Sequence, residues 1–285
     1  MPATPLPLSD AARARLWSTV GLIVIGLCAF IWIVPILWVL AMSFKPNEVL
    51  MRSTSGLLPV PFTLENFSNI LAASSTPQWL LNSAVVSLSM TTLTLIISAL
   101  AGYAFARIPF KGRKIMFIIV LAGLTVPEQA VFIPLQTMFA AWDMHNTYAA
   151  LVTPRLAVPF GVFLMTQFFK GIPAELEEAA MLDNASRLKV FFKIMLPLST
   201  PALTTLGIFT FLYAWNDYLW PLVSATQVES YTITTGLASL QGNFAQTEGL
   251  GFLMATAIFA SAPVLGVYLL FQRYIVRGIA FSSGK

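Results

Sequence analysis

Six long apolar stretches, at approximately 17–44, 80–105, 115–140, 148–169, 201–223 and 251–274, constrain this chain more than any other feature. Each is long enough to cross a bilayer as a helix. Lipid offers no partner to backbone amides, so an all-α polytopic membrane protein with six transmembrane helices is predicted. With 57% hydrophobic and only 10% charged residues, the chain is outside the range of a soluble domain. The first stretch is too long for a cleavable signal peptide and no small-residue cleavage site follows it, so it is expected to stay as a span.

Lysine and arginine are retained on the cytoplasmic side of spans, and here they fall unevenly. Arg13 and Arg15 precede the first span, and Arg107, Lys111, Arg113 and Lys114 crowd the loop between the second and third. Lys170, Arg187, Lys189 and Lys193 lie between the fourth and fifth, and Arg273, Arg277 and Lys285 follow the sixth. The opposite side carries Lys45, Arg52 and Arg155, while 224–250 has neither residue type. Both termini are therefore expected in the cytoplasm, and this topology accounts for the net charge of +4 without nucleic acid as a partner. The single cysteine, Cys28, permits no internal disulfide.

No internal repeat or second soluble domain is visible, and the organisation lies in the loops. The external segment 45–79 holds Pro46, Pro59, Pro61 and Pro77 and reads as irregular backbone with short helical pieces. The stretch 224–250, with Gly236, Gly242 and Gly249, is free to fold back toward the membrane or reach a partner. The cytoplasmic segment 170–200 carries the signals of two short helices. Pro173 suits a first helical position, and Glu175, Glu177 and Glu178 follow where the helix dipole favours carboxylates. Leu176, Ala179, Ala180 and Asp183 share one face by spacing. Asn184 visits the left-handed conformation more readily than most residues and is placed to turn the chain. Ser186 is placed to cap a second helix carrying Arg187, Lys189 and Lys193, and Pro197 and Pro201 punctuate the entry to span five.

The run Glu178, Ala179, Ala180, then Asn184, then Ile194, Leu196 and Pro197 resembles the EAA motif of ABC importer permeases at every spacing. Asn184 stands where that motif has glycine. The segments SFKPNE from 43, FTLENF from 62, AGYAFARIPFKGRK from 101, FIPLQ from 132, WNDYLWPL from 215 and FQRYIVRGIA from 271 resemble the carbohydrate branch, which includes the maltose and glycerol 3-phosphate permeases. The resemblance covers nearly the whole chain. It implies the type I ABC importer transmembrane fold, with a tail 1–16, a first span and external loop 17–76, a transmembrane domain 77–275 with its coupling loop at 170–200, and a tail 276–285. It implies that Glu178, Ala179, Ala180 and Asp183 face an ATPase and that the tail from 277 also reaches the ATPases. It likewise assigns 242–249 to a loop that contacts a binding protein or substrate. The implied partners are two copies of an ABC ATPase, a second permease, a periplasmic or lipid-anchored solute-binding protein, membrane lipid and a carbohydrate-like substrate in the bacterial inner membrane. ATP and Mg would belong to the ATPase, with no cofactor in this chain.

Polar groups at membrane depth face a bundle interior or a cavity. Glu128 and Gln129 after Pro127 are therefore substrate-pathway candidates, with a solvated carboxylate near the external boundary the alternative for Glu128; so are Trp215, Asn216, Asp217 and Tyr218, with structural hydrogen bonding inside the bundle the alternative. The span-two hydroxyls of Ser83, Ser87, Ser89, Thr91, Thr92, Thr94 and Ser98 are expected to bond their own helix or pack against neighbouring helices, and His145 reads as an ordinary loop residue. One histidine, one cysteine and no HExxH or GxSxG pattern argue against an intramembrane enzyme, and no P-loop is present. A secondary transporter or channel is the rival reading, which would not require the 170–200 motif. A structural scaffold is disfavoured by the prolines and polar residues inside spans three and five.

Overall fold

A computed structural model of the chain describes residues 10–52, 58–243 and 249–283, and every regular element among them is helical. Residues 1–9, 53–57, 244–248 and 284–285 lie outside the described residues. So do the side chains of Arg13, Arg273 and Arg277, and with them much of the expectation for both tails and for 242–249. The chain divides into two compact units, one of residues up to 72 with 243–258, the other of 73–242 with 259 onward.

In the first unit, α1 (Asp10–Ser43) is a long apolar helix exposed along almost its whole length, as suits a helix bathed in lipid. The short helices α2 (Asn47–Arg52) and α3 (Glu65–Ala73) occupy the expected irregular loop. Asn66 is buried there and donates to the carbonyls of Ser43 and Lys45, at 2.8 and 2.9 Å. Asn47 donates to Asn66 and accepts from the Gly251 amide. These bonds satisfy backbone groups that an irregular segment would otherwise strand.

The second unit is organised on α4 (Thr76–Arg107), an unbroken helix of 32 residues. The next three spans, read at 115–140, 148–169 and 201–223, are interrupted; in the third and fifth the breaks accompany the proline and polar positions noted there, and the break in the fourth was not foreseen. Helix α5 (Arg113–Ala122) and its continuation to Thr125 meet α6 (Glu128–Ala141) at 96°. Helix α7 (Tyr148–Val152), continued to Arg155, meets α8 (Pro159–Gly171) at 51°. The 170–200 loop holds α9 (Glu175–Leu182), α10 (Arg187–Val190), a π-turn and α11 (Leu196–Leu198). The segment 187–198 then turns by 73° into α12 (Thr200–Trp215). After a break at 216–218 come α13 (Leu219–Ser224), α14 (Ile233–Asn243) and α15 (Gly249–Ser283).

Proline explains the breaks, because its ring clashes with the carbonyl four residues earlier and drives the preceding residue out of the helical region. Val126 before Pro127 and Val158 before Pro159 are both extended, and Pro221 would collide with the Asp217 carbonyl if α12 ran on. Helices α8 and α12 pack lengthwise on α4. Two glycines allow the approach: a Cβ on Gly102 would lie 2.6 Å from the Met165 Cβ, and one on Gly161 would lie 2.4 Å from the Ser98 Oγ. Small residues play this part in membrane bundles, where dispersion rather than water drives helices together.

Candidate functional site

The 170–200 loop has the two-helix form predicted for it. Helix α9 begins at Glu175, so Pro173 precedes the helix instead of opening it. Its end is closed by two bonds, from the Ala185 amide to the Ala180 carbonyl and from the Asn184 amide to the Met181 carbonyl. That is a Schellman closure, and it requires a left-handed residue at its bend. Asn184 supplies it with φ of 57°, taking the conformation the usual glycine would take. The Ser186 side chain accepts from the Lys189 amide and caps α10, as predicted.

Burial sorts the residues of α9. Glu178, Ala179 and Asp183 are exposed beside Leu176 and Met181, and Leu182 is 85% exposed. With Leu188 and Phe192 further on, this loop carries more exposed apolar surface than a solvated helix needs. Ala180 departs from the expectation of an outward face. It is half-buried and packs with Ala185 against the unit's own core, as does Leu196 of the motif's second arm; Ile194 is half-buried and Pro197 is exposed. Glu177, not singled out by spacing, is buried. It accepts from the Tyr103 hydroxyl at 2.8 Å and lies 3.4 Å from Arg107 Nε.

A second cluster joins the three broken spans. Arg155, at the end of the turn that continues α7, pairs with Glu128 at 3.0 Å and more closely with Asp217. Glu128 is the first residue of α6 and accepts from the Tyr213 hydroxyl, and the Arg155 guanidinium lies over the Tyr213 ring. Each charge suits its helix end: a carboxylate at the amide-rich start of α6, and a cation where α7 and its 3₁₀ continuation stop. Arg155 and Asp217 are each 12% exposed at the side chain, whereas Glu128 is 47% exposed and faces a cavity of about 510 Å³. Gly123, Val126, Pro159 and Tyr213 also line it, so the breaks in spans three and four open onto the same space.

The other pathway candidates are elsewhere. Trp215 is buried, stacks on Phe211 and donates to the Ala260 carbonyl; it belongs to the bundle interior, not to the cavity. Asn216 donates to the Leu212 carbonyl of its own helix, so its side chain closes α12. Gln129 and Tyr218 are exposed and neither lines the cavity. Sequence reasoning gave Arg155 only a topological role and passed over Tyr213. An arginine inside the apolar stretch 148–169 was the available signal. Of the span-two hydroxyls, Ser83 accepts from the Ile233 amide and Thr94 donates to the Leu156 carbonyl, both beyond α4.

Residues 95–281 match the family described as binding-protein-dependent transport system inner membrane component. The arabinooligosaccharides transport system permease protein AraQ of Halalkalibacterium halodurans is 34% identical over 260 residues, covering 90% of this chain and 92% of that one. The diacetylchitobiose uptake system permease protein NgcG of Streptomyces coelicolor is 32% identical over 96% of this chain and 91% of its own. The trehalose transport system permease protein SugB of Mycobacterium tuberculosis is 30% identical over 96% and 99%. Among solved structures, a chain of a bacterial ABC transporter that imports alginate superposes with a TM-score of 0.77 at 21% identity, over 95% of this chain and 99% of that chain, a likeness of fold.

Proposed function

The chain belongs to the family of inner membrane components of binding-protein-dependent transport systems, and from that premise we propose that it forms half of the translocation pathway of an ABC importer for a sugar or sugar derivative. Transport substrates named for the relatives, arabinooligosaccharides, diacetylchitobiose and trehalose, support the carbohydrate class. In this reading ATP hydrolysis belongs to a separate subunit, which fits a chain of the inner membrane component family. The full assembly would hold two ATPase copies with their ATP and Mg, a second related permease and a solute-binding protein outside the membrane. Both termini would lie in the cytoplasm of a bacterial cell, with the permease in its inner membrane.

The observation that carries the reading is the form of the 170–200 loop. A short helix, closed at a left-handed asparagine and followed by a capped second helix, holds Glu178, Ala179, Leu182 and Asp183 outward on a fixed frame. A partner that moves α9 would move spans four and five, which leave the loop at either end. The solute pathway is assigned to the cavity beside Glu128, Arg155 and Tyr213, onto which the breaks of spans three and four open.

Affinity purification of the tagged chain from its native membrane in mild detergent tests the assembly. Recovery of a P-loop ATPase and a second permease is expected, and Glu178→Lys or Ala179→Trp should reduce the ATPase recovered while the permease still inserts. Recovery of this chain alone, transporting without ATP, would overturn the reading in favour of a secondary carrier.

A further inference from the structure

Of the three glutamates at the start of α9, only Glu177 turns inward, and it is 5% exposed. A carboxylate that far from water persists only when its charge and lone pairs are met. Here Tyr103 and Arg107, from the last two turns of α4, meet them. Arg107 does more than balance the charge. Its terminal nitrogen donates to the Phe169 carbonyl at 2.7 Å, which also accepts from the Ile172 amide, and to the Ile172 carbonyl, both at the end of α8. Tyr103 is clamped by Phe169 of α8 at 5.8 Å and by Phe191 of the π-turn at 5.1 Å between ring centroids. One carboxylate is thus joined to α4 directly and to α8 through a single guanidinium.

We propose that Glu177 is a positioning residue that locks the coupling helix to the cytoplasmic ends of spans two and four, through Tyr103 and Arg107, so that all three move as one body. The proposal rests on the reading of 170–200 as the coupling loop. It divides the labour within α9: the exposed face at Glu178, Ala179 and Leu182 receives the ATPase, and the buried face at Glu177 hands the movement on. Docking and transmission then become separable by mutation.

The test uses the complete transporter in liposomes with Cys28→Ser, carrying a nitroxide pair at Leu88→Cys on α4 and Glu175→Cys on α9. Both residues are exposed. In the parent the pair distance should stay within about 1 Å between the nucleotide-free state and the state trapped with ATP and vanadate, less than the shift of a helix that slips at an interface. In Glu177→Ala it should shift by about 1–2 Å or more on trapping, while the ATPase copurifies at the parent stoichiometry. Tyr103→Phe removes one hydroxyl from the same network and should shift the pair in the same direction by less. It decides the matter if Glu177→Ala does not insert. Glu177→Gln keeps an acceptor for the Tyr103 hydroxyl and should restore most of the parent behaviour. A pair distance in Glu177→Ala as constant as the parent's would overturn the proposal, and so would loss of the ATPase from that variant. If instead Glu178→Lys leaves ATPase recovery untouched, the coupling-loop reading itself fails.

Discussion

Gly102→Ala measures how much of the stability of the second unit depends on the close approach of α4 and α8. The added Cβ would lie 2.6 Å from the Met165 Cβ and 3.0 Å from the Met165 carbonyl carbon and the Thr166 nitrogen. Two of those three atoms are backbone, so no change of rotamer relieves the overlap. Carbon pairs settle at about 3.5–4.0 Å, so the helices must part by about 1 Å, and a gap of that size forfeits about a quarter to a half of the attraction between facing atoms. Overpacking of this kind costs about 1–3 kcal/mol. Against it stands the gain of up to about 1 kcal/mol for alanine over glycine inside a helix. Gly266→Ala, on α15 of the same unit with nothing within 4 Å, receives the gain without the overlap and serves as reference. The two variants should therefore differ by about 2 kcal/mol, roughly a thirtyfold difference in folding equilibrium. Titration of the purified subunit from mild detergent into SDS, followed by tryptophan fluorescence, reads that difference. Equal midpoints for the two variants would refute the idea that glycine at 102 is required by contact.

Arg155→Met should cost about 3–5 kcal/mol in the same titration, because it leaves Asp217 largely buried without its cation. Arg155→Met with Asp217→Asn should recover much of the loss, and additive effects would count against a coupled pair. Asn184→Gly should be neutral or slightly stabilising, whereas Asn184→Val, forced to φ of 57°, should cost about 1–2 kcal/mol and reduce ATPase recovery. Ala180→Trp should lower stability, since Ala180 packs inward, whereas Ala179→Trp on the exposed side should leave the SDS midpoint near wild type and lose the ATPase.

The parts legible in the sequence are those decided within a few residues. Apolar length located the spans, and the 170–200 loop was readable to its cap and its bend because the bonds at Asn184 and Ser186 reach only three to five residues. Breaks in spans three to five were less legible. Pro127, Pro159 and Pro221 were in plain view, yet hydropathy averages over a proline, and Pro35 and Pro263 are carried inside continuous helices. Charged clusters were the least legible, since their members lie far apart: 74 residues separate Tyr103 from Glu177 and 85 separate Glu128 from Tyr213. The count of basic residues treated Arg107 as a marker of topology, which its position at a loop satisfies equally well. Only packing reveals that its guanidinium is turned into the protein.

Helix α4 also has a mechanical consequence. Its 32 residues make a rod about 48 Å long, well beyond the hydrocarbon thickness, and it alone in its unit before α15 runs without a break. Both ends are pinned. Tyr103 and Arg107 hold one, and at the other Trp79 donates to the Val228 carbonyl while Asn82 donates to those of Glu229 and Tyr231. A rod of that length tilting by about 5° carries its far tip about 4 Å. A small rotation imposed at the cytoplasmic end would thus reach the 228–233 segment as a displacement larger than a hydrogen bond, without any span having to slide along its axis.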